Sequence, residues 1–280
     1  MTPTRPATPP CESVKVALLK ITPILLIIIL IFSQCLPAIS WEFLSAFPRQ
    51  GMRAGGIFPA ILGTVFLTFF TTLFSVPLGI AAAIYLSEYA SDNLMTRIIR
   101  ISIINLAGIP SIVYGLFGLG IFVLFFKLGT SILAASLTLS IMTMPVIIST
   151  AEEALRTVPQ SFRVVSVSLG ATRWQTIRKI VLPQSLPGIL TGVILGLERA
   201  AGETAPILFT GAAFYLPTLP SSPLDATMAL PYHLYVVSTQ VPGMPVEIQY
   251  GTALVLLVLI LGLNLVATTI RSRARARRQW

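Results

Sequence analysis

Six apolar stretches, each long enough to cross a lipid bilayer as a helix, dominate this sequence of 280 residues. They run over about 18–39, within 57–86, within 98–126, and over about 131–150, 185–209 and 252–270. A spanning helix needs roughly 20 consecutive apolar residues. Strands are shorter, and none of the stretches has the two-residue alternation of an outer-membrane barrel. Backbone groups in lipid must find partners within the protein, which leaves helices. Composition agrees: 10% of the residues are charged, against about 25% in an ordinary soluble domain. The two cysteines, Cys11 and Cys35, give no disulfide framework. The expectation is an all-α, polytopic membrane protein with six transmembrane helices. The second and third stretches approach 30 residues, so they tilt, kink or project, with Pro59, Pro77 and Pro110 as the expected kink points.

The first stretch has a second reading. Lys15 and Lys20, the apolar run and the Pro-Ala-Ile-Ser that follows also fit a signal peptide. Five further spans favour an uncleaved first helix, because an odd total would move the basic C-terminus outside.

Basic residues set the orientation. With the N-terminus in the cytoplasm and six alternating helices, 15 of the 19 Lys and Arg fall on the inner side. These are Arg5, Lys15, Lys20, Arg97, Arg100, Arg156, Arg163, Arg173, Arg178, Lys179, Arg271, Arg273, Arg275, Arg277 and Arg278. Only Arg49, Arg53 and Lys127 lie outside, and Arg199 lies within a span. This asymmetry follows the positive-inside rule. The expected location is the cell inner (cytoplasmic) membrane, multi-pass, with both termini cytoplasmic. The net charge of +9 then reflects topology and contact with anionic membrane lipid. The tail RSRARARR directly follows a span, so it reads as a juxtamembrane anchor rather than a nucleic-acid element. Outer loops cover about 40–56 and 210–251, with a short one at 127–130; inner loops cover about 87–97 and 151–184.

The long inner loop has the pattern of a folded unit. Glu152, Glu153, Leu155, Val158, Phe162, Val165 and Leu169 fall mostly at three- and four-residue steps, the spacing of an amphipathic helix. Gly170 permits a positive φ and a sharp turn. Thr172 is placed to cap a second helix over 173–181, and Leu182-Pro183 is placed to stop it. The expected product is a short helix–turn–helix with a basic outer face. By shape alone, it either merely connects two spans or is gripped by a soluble partner.

Here the residues resemble a known family. Gly170, nine residues, then Ile180-Val181-Leu182-Pro183 matches the second half of the EAA loop of ABC-importer permeases. The first half departs from it, with Val164, Val165 and Ser166 where Glu-Ala-Ala would stand. GGIFPAILGT at 55–64, YLSEYA at 85–90, IPSIVYGLFGL at 109–119 and AGETAPILFTG at 201–211 are similar to the phosphate-specific branch of these permeases. LNLVATTIRSR at 263–273 and Pro-Tyr-His-Leu-Tyr at 231–235 resemble its PstA type. The resemblance covers nearly all of 55–273 and implies an ABC-importer permease (MetI-like) core. It also implies a PstC-like permease subunit, cytoplasmic ATPase subunits and a periplasmic phosphate-binding protein as partners, with phosphate as the transported substrate. It makes 151–183 the ATPase coupling loop, with Arg163, Ser166, Gly170, Ala171, Ile180, Leu182 and Pro183 as its residues. The layout is then a cytoplasmic segment 1–17, a first helix and outer loop 18–56, a permease core 57–270 and a basic tail 271–280.

Charged residues inside a span need a reason. Glu198, Arg199 and Glu203 all fall in the fifth apolar stretch. Arg199 lies roughly 21 Å along it at 1.5 Å per residue, where a charge costs about 2.5–3.5 kcal/mol on insertion scales. Arg199 and Glu203 are four residues apart, on one helical face. They form either a structural ion pair or a gate on a translocation path, and the guanidinium fork suits phosphate oxygens. The resemblance points to the same two residues. The two glutamates leave this turn net negative, so Glu198 faces elsewhere, a paired subunit adds positive charge, or the pair is a latch rather than a binding site.

Other features read as structural. The hydroxyls Ser131, Ser136, Thr138, Ser140, Thr143 and Ser149 are expected to bond back to their own helix. Gly115, Gly118 and Gly120 suggest close helix packing. His233, the one histidine, is expected to be exposed or interfacial. The outer stretch 212–249 holds six prolines and a short helix near 225–240; it either receives a binding protein or only connects. No phosphate loop, zinc motif or nucleophile elbow occurs. The expected chain is therefore a non-catalytic permease subunit without a cofactor. The alternatives are a permease for another oxyanion such as sulfate or molybdate, a polytopic membrane enzyme, or a transporter that also signals.

Overall fold

The structure, a computed structural model, describes residues 10–276 apart from Pro217. Arg5, Arg277 and Arg278 of the charge count lie outside the described residues, as do the side chains of Cys11, Lys15, Lys20 and Arg275. The chain opens with α1 (Pro10–Cys35) and a short α2 (Trp41–Ser45). An antiparallel hairpin of β1 (Pro48–Arg49) and β2 (Ala54–Gly55) follows. The core comprises α3 (Phe58–Ile84), α4 (Leu94–Ala107), α5 (Ser111–Gly118) and α6 (Ile132–Arg156). It continues through α7 (Gln160–Ser168), α8 (Arg173–Thr176), α9 (Leu182–Gly202) and α10 (Ala205–Thr210). α11 (Leu230–Thr239) and α12 (Val246–Ala276) complete it.

Among the described residues, four helical stretches are long and apolar enough to cross a membrane: Phe58–Tyr89, Ile132–Arg156, Arg173–Gly202 and Val246–Arg273. α4 and the stretch from α5 to Phe125 form a fifth, bent by 102°. The expected sixth span falls in α1, whose described apolar part, Leu25–Cys35, is too short to cross alone. Four or five spans are therefore described, not six.

The prolines act differently from one another. Pro110 sits at the bend between α4 and α5, as its missing N–H dictates. Pro59 lies in the first turn of α3, where no donor is needed, so it is a helix start and not a kink. Pro77 lies inside α3, which runs through it.

Three stretches switch to π winding, with each N–H bonding five residues back. α3 continues through Tyr85–Tyr89, closed by Ala90 N–H donating to Tyr85 O at 2.8 Å. α5 continues through Leu119–Phe125 in the same way. The third, Ile177–Val181, joins α8 to α9. It overturns the expected stop at Leu182-Pro183: the change of winding places Pro183 in the first turn of α9, where its missing donor costs nothing. The lower loop helix thus runs without a break into a membrane span.

α6 is the central helix. Its most apolar stretch is 67% buried, against 6% for that of α12. It packs most extensively on α3 and α9. Gly192 of α9 faces Thr150 of α6 so closely that a Cβ would collide with the threonine hydroxyl. Three of the six hydroxyls bond back as expected, Thr138 to Ala134 O, Ser140 to Ser136 O and Thr143 to Leu139 O, at 2.7–3.0 Å, whereas Ser136 Oγ is buried with no partner among the described residues. Ser131 caps the helix by accepting from Ala134 N. Gly115 and Gly118 pack tightly, against Phe209 and Thr138; Gly120 has open space beside it, so the packing reading fails there.

The N-terminus of α6 has no free donors in its first turn. Ser131, Ile132 and Leu133 donate to Thr210 O, Asp225 O and Pro223 O at 2.9–3.0 Å. A buried helix end without such partners would be costly. The loop around 223–225 is thereby tied to the core rather than a loose connector.

Candidate functional site

Two regions carry the charged residues singled out by the sequence. The first lies at the end of α9. Arg199 Nε is 3.5 Å from Glu203 Oε1, with 28% and 20% of the two side chains exposed. The pair is not on one continuous helix. α9 ends at Gly202, and Glu203 is already extended, at φ −77° and ψ 135°. Pro206 explains the break, since it has no N–H for the Gly202 carbonyl, and α10 restarts the helix with Pro206 in its first turn. Glu198 is partly buried one turn from the break and joins no ion pair among the described residues. The Arg199 charge reaches the buried Tyr114 of α5, whose hydroxyl donates to Leu106 O at 2.8 Å. The site therefore holds one cation and two carboxylates, Glu198 and Glu203, beside a broken helix.

The second region is the helix pair α7 and α8, between α6 and α9. Its upper arm differs from the expected one. α6 carries Glu152 and Glu153 to its own end, and Pro159 separates it from α7 because a proline disfavours helix at the residue before it. Gly170 turns the chain at φ +83°. Thr172 then caps α8 reciprocally with Gln175, at 3.2 and 2.9 Å. Ser166 is buried and lies 2.8 Å from Thr176 across the turn. The pattern of exposure follows the periodicity reading only in part: Leu155 and Val158 are buried, but Val165 and Leu169 are 57% and 83% exposed. Val164, Val167 and Trp174 are also exposed, so the surface of the pair is not simply basic. Ala171 lines a cleft of about 450 Å³ with Arg163, Val167 and Thr176. Ile180 and Leu182 are half-buried where the pair enters α9.

Arg163 anchors this unit. It donates to both Glu88 oxygens, at 2.6 and 3.1 Å, and to Val158 O and Leu155 O at 2.6 and 3.0 Å. Glu88 comes from the π turn ending α3 and was not singled out in the sequence, because its partner lies 75 residues away. Beside it, Arg100 of α4 bonds Glu152 Oε1 and Leu86 O, each at 2.8 Å, and Arg156 shares Glu152 at 2.9 Å.

The two long loops, 40–56 and 210–251, are stitched together by side chains. Arg53 donates to Pro242 O at 2.6 Å and Tyr215 to Pro48 O at 3.0 Å, joining 40–56 to 210–251. The expected short helix is α11. His233 on it is buried, contrary to expectation, because α11 is wedged against α3, α10 and α12. Burial pushes its pKa down to about 4, and Nδ1 has no partner. Asp225 accepts from Ser221 N and Oγ and Ser222 N, which hold its carboxyl below the usual range. Among the described residues no three His, Cys, Asp or Glu converge on one point.

Comparison with known proteins bears on the chain as a whole. Residues 75–278 match the family described as "Binding-protein-dependent transport system inner membrane component". The chain is 35% identical over 247 residues to a probable phosphate transport system permease protein PstA of Methanocaldococcus jannaschii, covering 88% of this chain and 86% of that one. It is 33% identical over 242 residues to a probable ABC transporter permease protein, YqgI, of Bacillus subtilis, covering 82% of each. The fold is similar to that of a solved inward-facing MetNI methionine ABC transporter, with a TM-score of 0.63 and 19% identity, over 77% of this chain and 94% of that one.

Proposed function

We propose that this chain, which belongs to the family of binding-protein-dependent transport system inner membrane components, imports inorganic phosphate. It is a non-catalytic, multi-pass permease subunit of an ABC importer in the inner membrane, served by ATPase and substrate-binding partners. The observation that supports phosphate is the 35% identity to a PstA protein over 88% of the chain. Arg199 supports it chemically: a half-buried guanidinium, held by one carboxylate at 3.5 Å, keeps donors free for an oxyanion.

In this reading a PstC-like chain covers the open side of Arg199 and Glu203, since lipid there would be costly. The termini lie in the cytoplasm, as the 15 inner basic residues favour. A periplasmic phosphate-binding protein engages the stitched outer loops. The ATPase grips the exposed side chains of Val164, Val165, Leu169 and Trp174. Its closure moves the loop pair, and the unbroken run from α8 through α9 carries that motion to Arg199, which exchanges partners as access alternates between sides. Residues 151–183 are the coupling loop and 57–270 the permease core.

Deletion of the gene followed by measured uptake of radiolabelled phosphate, sulfate and molybdate at limiting concentration tests the substrate. Loss confined to phosphate is the expected result. Normal phosphate uptake with loss of sulfate or molybdate uptake would assign the other oxyanion.

A further inference from the structure

We infer that Glu88, at the π-wound end of α3, is a positioning residue that ties the cytoplasmic helix pair to the first core helix, acting through Arg163. The inference rests on the importer reading above and adds a residue that the loop motif does not contain.

The geometry concentrates three elements on one guanidinium. Arg163 holds both Glu88 oxygens in a fork, at 2.6 and 3.1 Å, and its remaining donors take Leu155 O at the end of α6 and Val158 O beyond it. The two side chains are 15% and 10% exposed, so water screens the pair little. Two-pronged pairing fixes orientation as well as distance. α7 packs on α8 and the π turn below it, and the Arg163–Glu88 pair joins it to the end of α3. A push on α7 therefore reaches α3 through Arg163 and Glu88.

The winding at Tyr85–Tyr89 supports the assignment. A π turn is a strained interruption that often marks functional positions. Here it is pinned twice, by Arg163 on Glu88 and by Arg100 on Leu86 O at 2.8 Å. Arg100 also bonds Glu152 of α6. The α3 end is thus clamped to the α6 end on one side and to the moving loop on the other. A rigid joint is what a lever needs at its fulcrum, and a purely structural pair would not need to bridge the loop.

The test uses the whole complex, purified through a tag on this chain and placed in proteoliposomes with its ATPase, its second permease chain and the binding protein. Phosphate taken up per ATP hydrolysed is measured on equal amounts of assembled complex. Glu88→Gln keeps the shape and removes the charge; it is expected to lower that ratio about tenfold, the scale of one charge-assisted hydrogen bond. Glu88→Asp, which keeps the charge, is expected to restore at least half of it. Glu88→Gln added to Arg163→Gln should cost no more than Arg163→Gln alone. An unchanged ratio in Glu88→Gln, or a loss explained wholly by less assembled complex, would overturn the role of Glu88. A wild-type complex that moves no phosphate would instead overturn the substrate reading, and the ratio would then be measured with the oxyanion it does carry.

Discussion

Ser166 Oγ lies 2.8 Å from Thr176 Oγ1, and this buried bond ties the two arms of the helix pair together over the Gly170 turn. Ser166 is 5% exposed and Thr176 4%, so neither hydroxyl has ready access to water as a substitute partner. Thr176 also donates to Thr172 O at 3.1 Å, which links the bond to the capped start of α8. The small residue at 166 is therefore needed both for its size and for its oxygen.

Ser166→Val should leave Thr176 without its cross-turn partner and force a larger side chain between the arms. The expected cost is about 1–3 kcal/mol locally, the scale of overpacking a closed site, since Thr176 keeps its bond to Thr172 O. Ser166→Thr should be milder. Co-purification of the ATPase with each variant checks this; equal recovery for both would show that the bond does not shape the docking face.

Gly170→Val places a β-branched residue at φ +83°, at a cost of about 1–3 kcal/mol in backbone strain. No neighbour lies near its Cβ position, so the effect is conformational and not steric. The variant should insert normally yet lose coupling between ATP hydrolysis and uptake. Gly170→Asn, which tolerates this conformation, should recover much of it. The two substitutions are compared in proteoliposomes.

Arg199→Gln should reduce phosphate uptake by about tenfold or more, as expected for losing a charged donor at a partly buried site. Membrane insertion is checked by blot. Arg199→Lys should recover only part of the activity, since a point charge lacks the planar fork. Full uptake in Arg199→Gln would assign the pair with Glu203 to structure alone.

Acid should weaken the outer side through His233. Its folded-state pKa is about 4, below the ordinary value of about 6.5. Between those values the unfolded chain binds a proton that the folded chain does not, so stability falls as pH drops from about 6.5 to about 4. The loss at the low end is on the order of 3 kcal/mol. Asp225 has a lowered pKa, so its contribution is present above pH 3.8 and is lost only at more acidic pH. Thermal unfolding of the detergent-solubilised complex between pH 7 and 4.5 should show the decline, and His233→Gln should flatten it.

Labelling checks the topology. In a cysteine-free background, Ser221→Cys should react with a membrane-impermeant maleimide in spheroplasts. Arg173→Cys should react only after permeabilisation. The reverse pattern would invert the orientation.

Much of this protein was legible in its sequence because the bilayer restricts the options so severely. Stretches such as 131–150 and 252–270 could only be helices, and α6 and α12 cover them. The Gly170 turn and the Thr172 cap were legible because both act within a few residues. What the sequence left open depended on distant or half-local partners. The π turn at Ile177–Val181 carries Pro183 into α9, where local rules placed a stop. Pro206 broke the helix between Arg199 and Glu203, where spacing placed one face. Glu88 meets Arg163 across 75 residues, and His233 is buried by three helices that no local pattern brings together. Lipid exclusion selects the helices from the chain alone; which carboxylate meets which arginine is settled only when the packed helices set the distances between them.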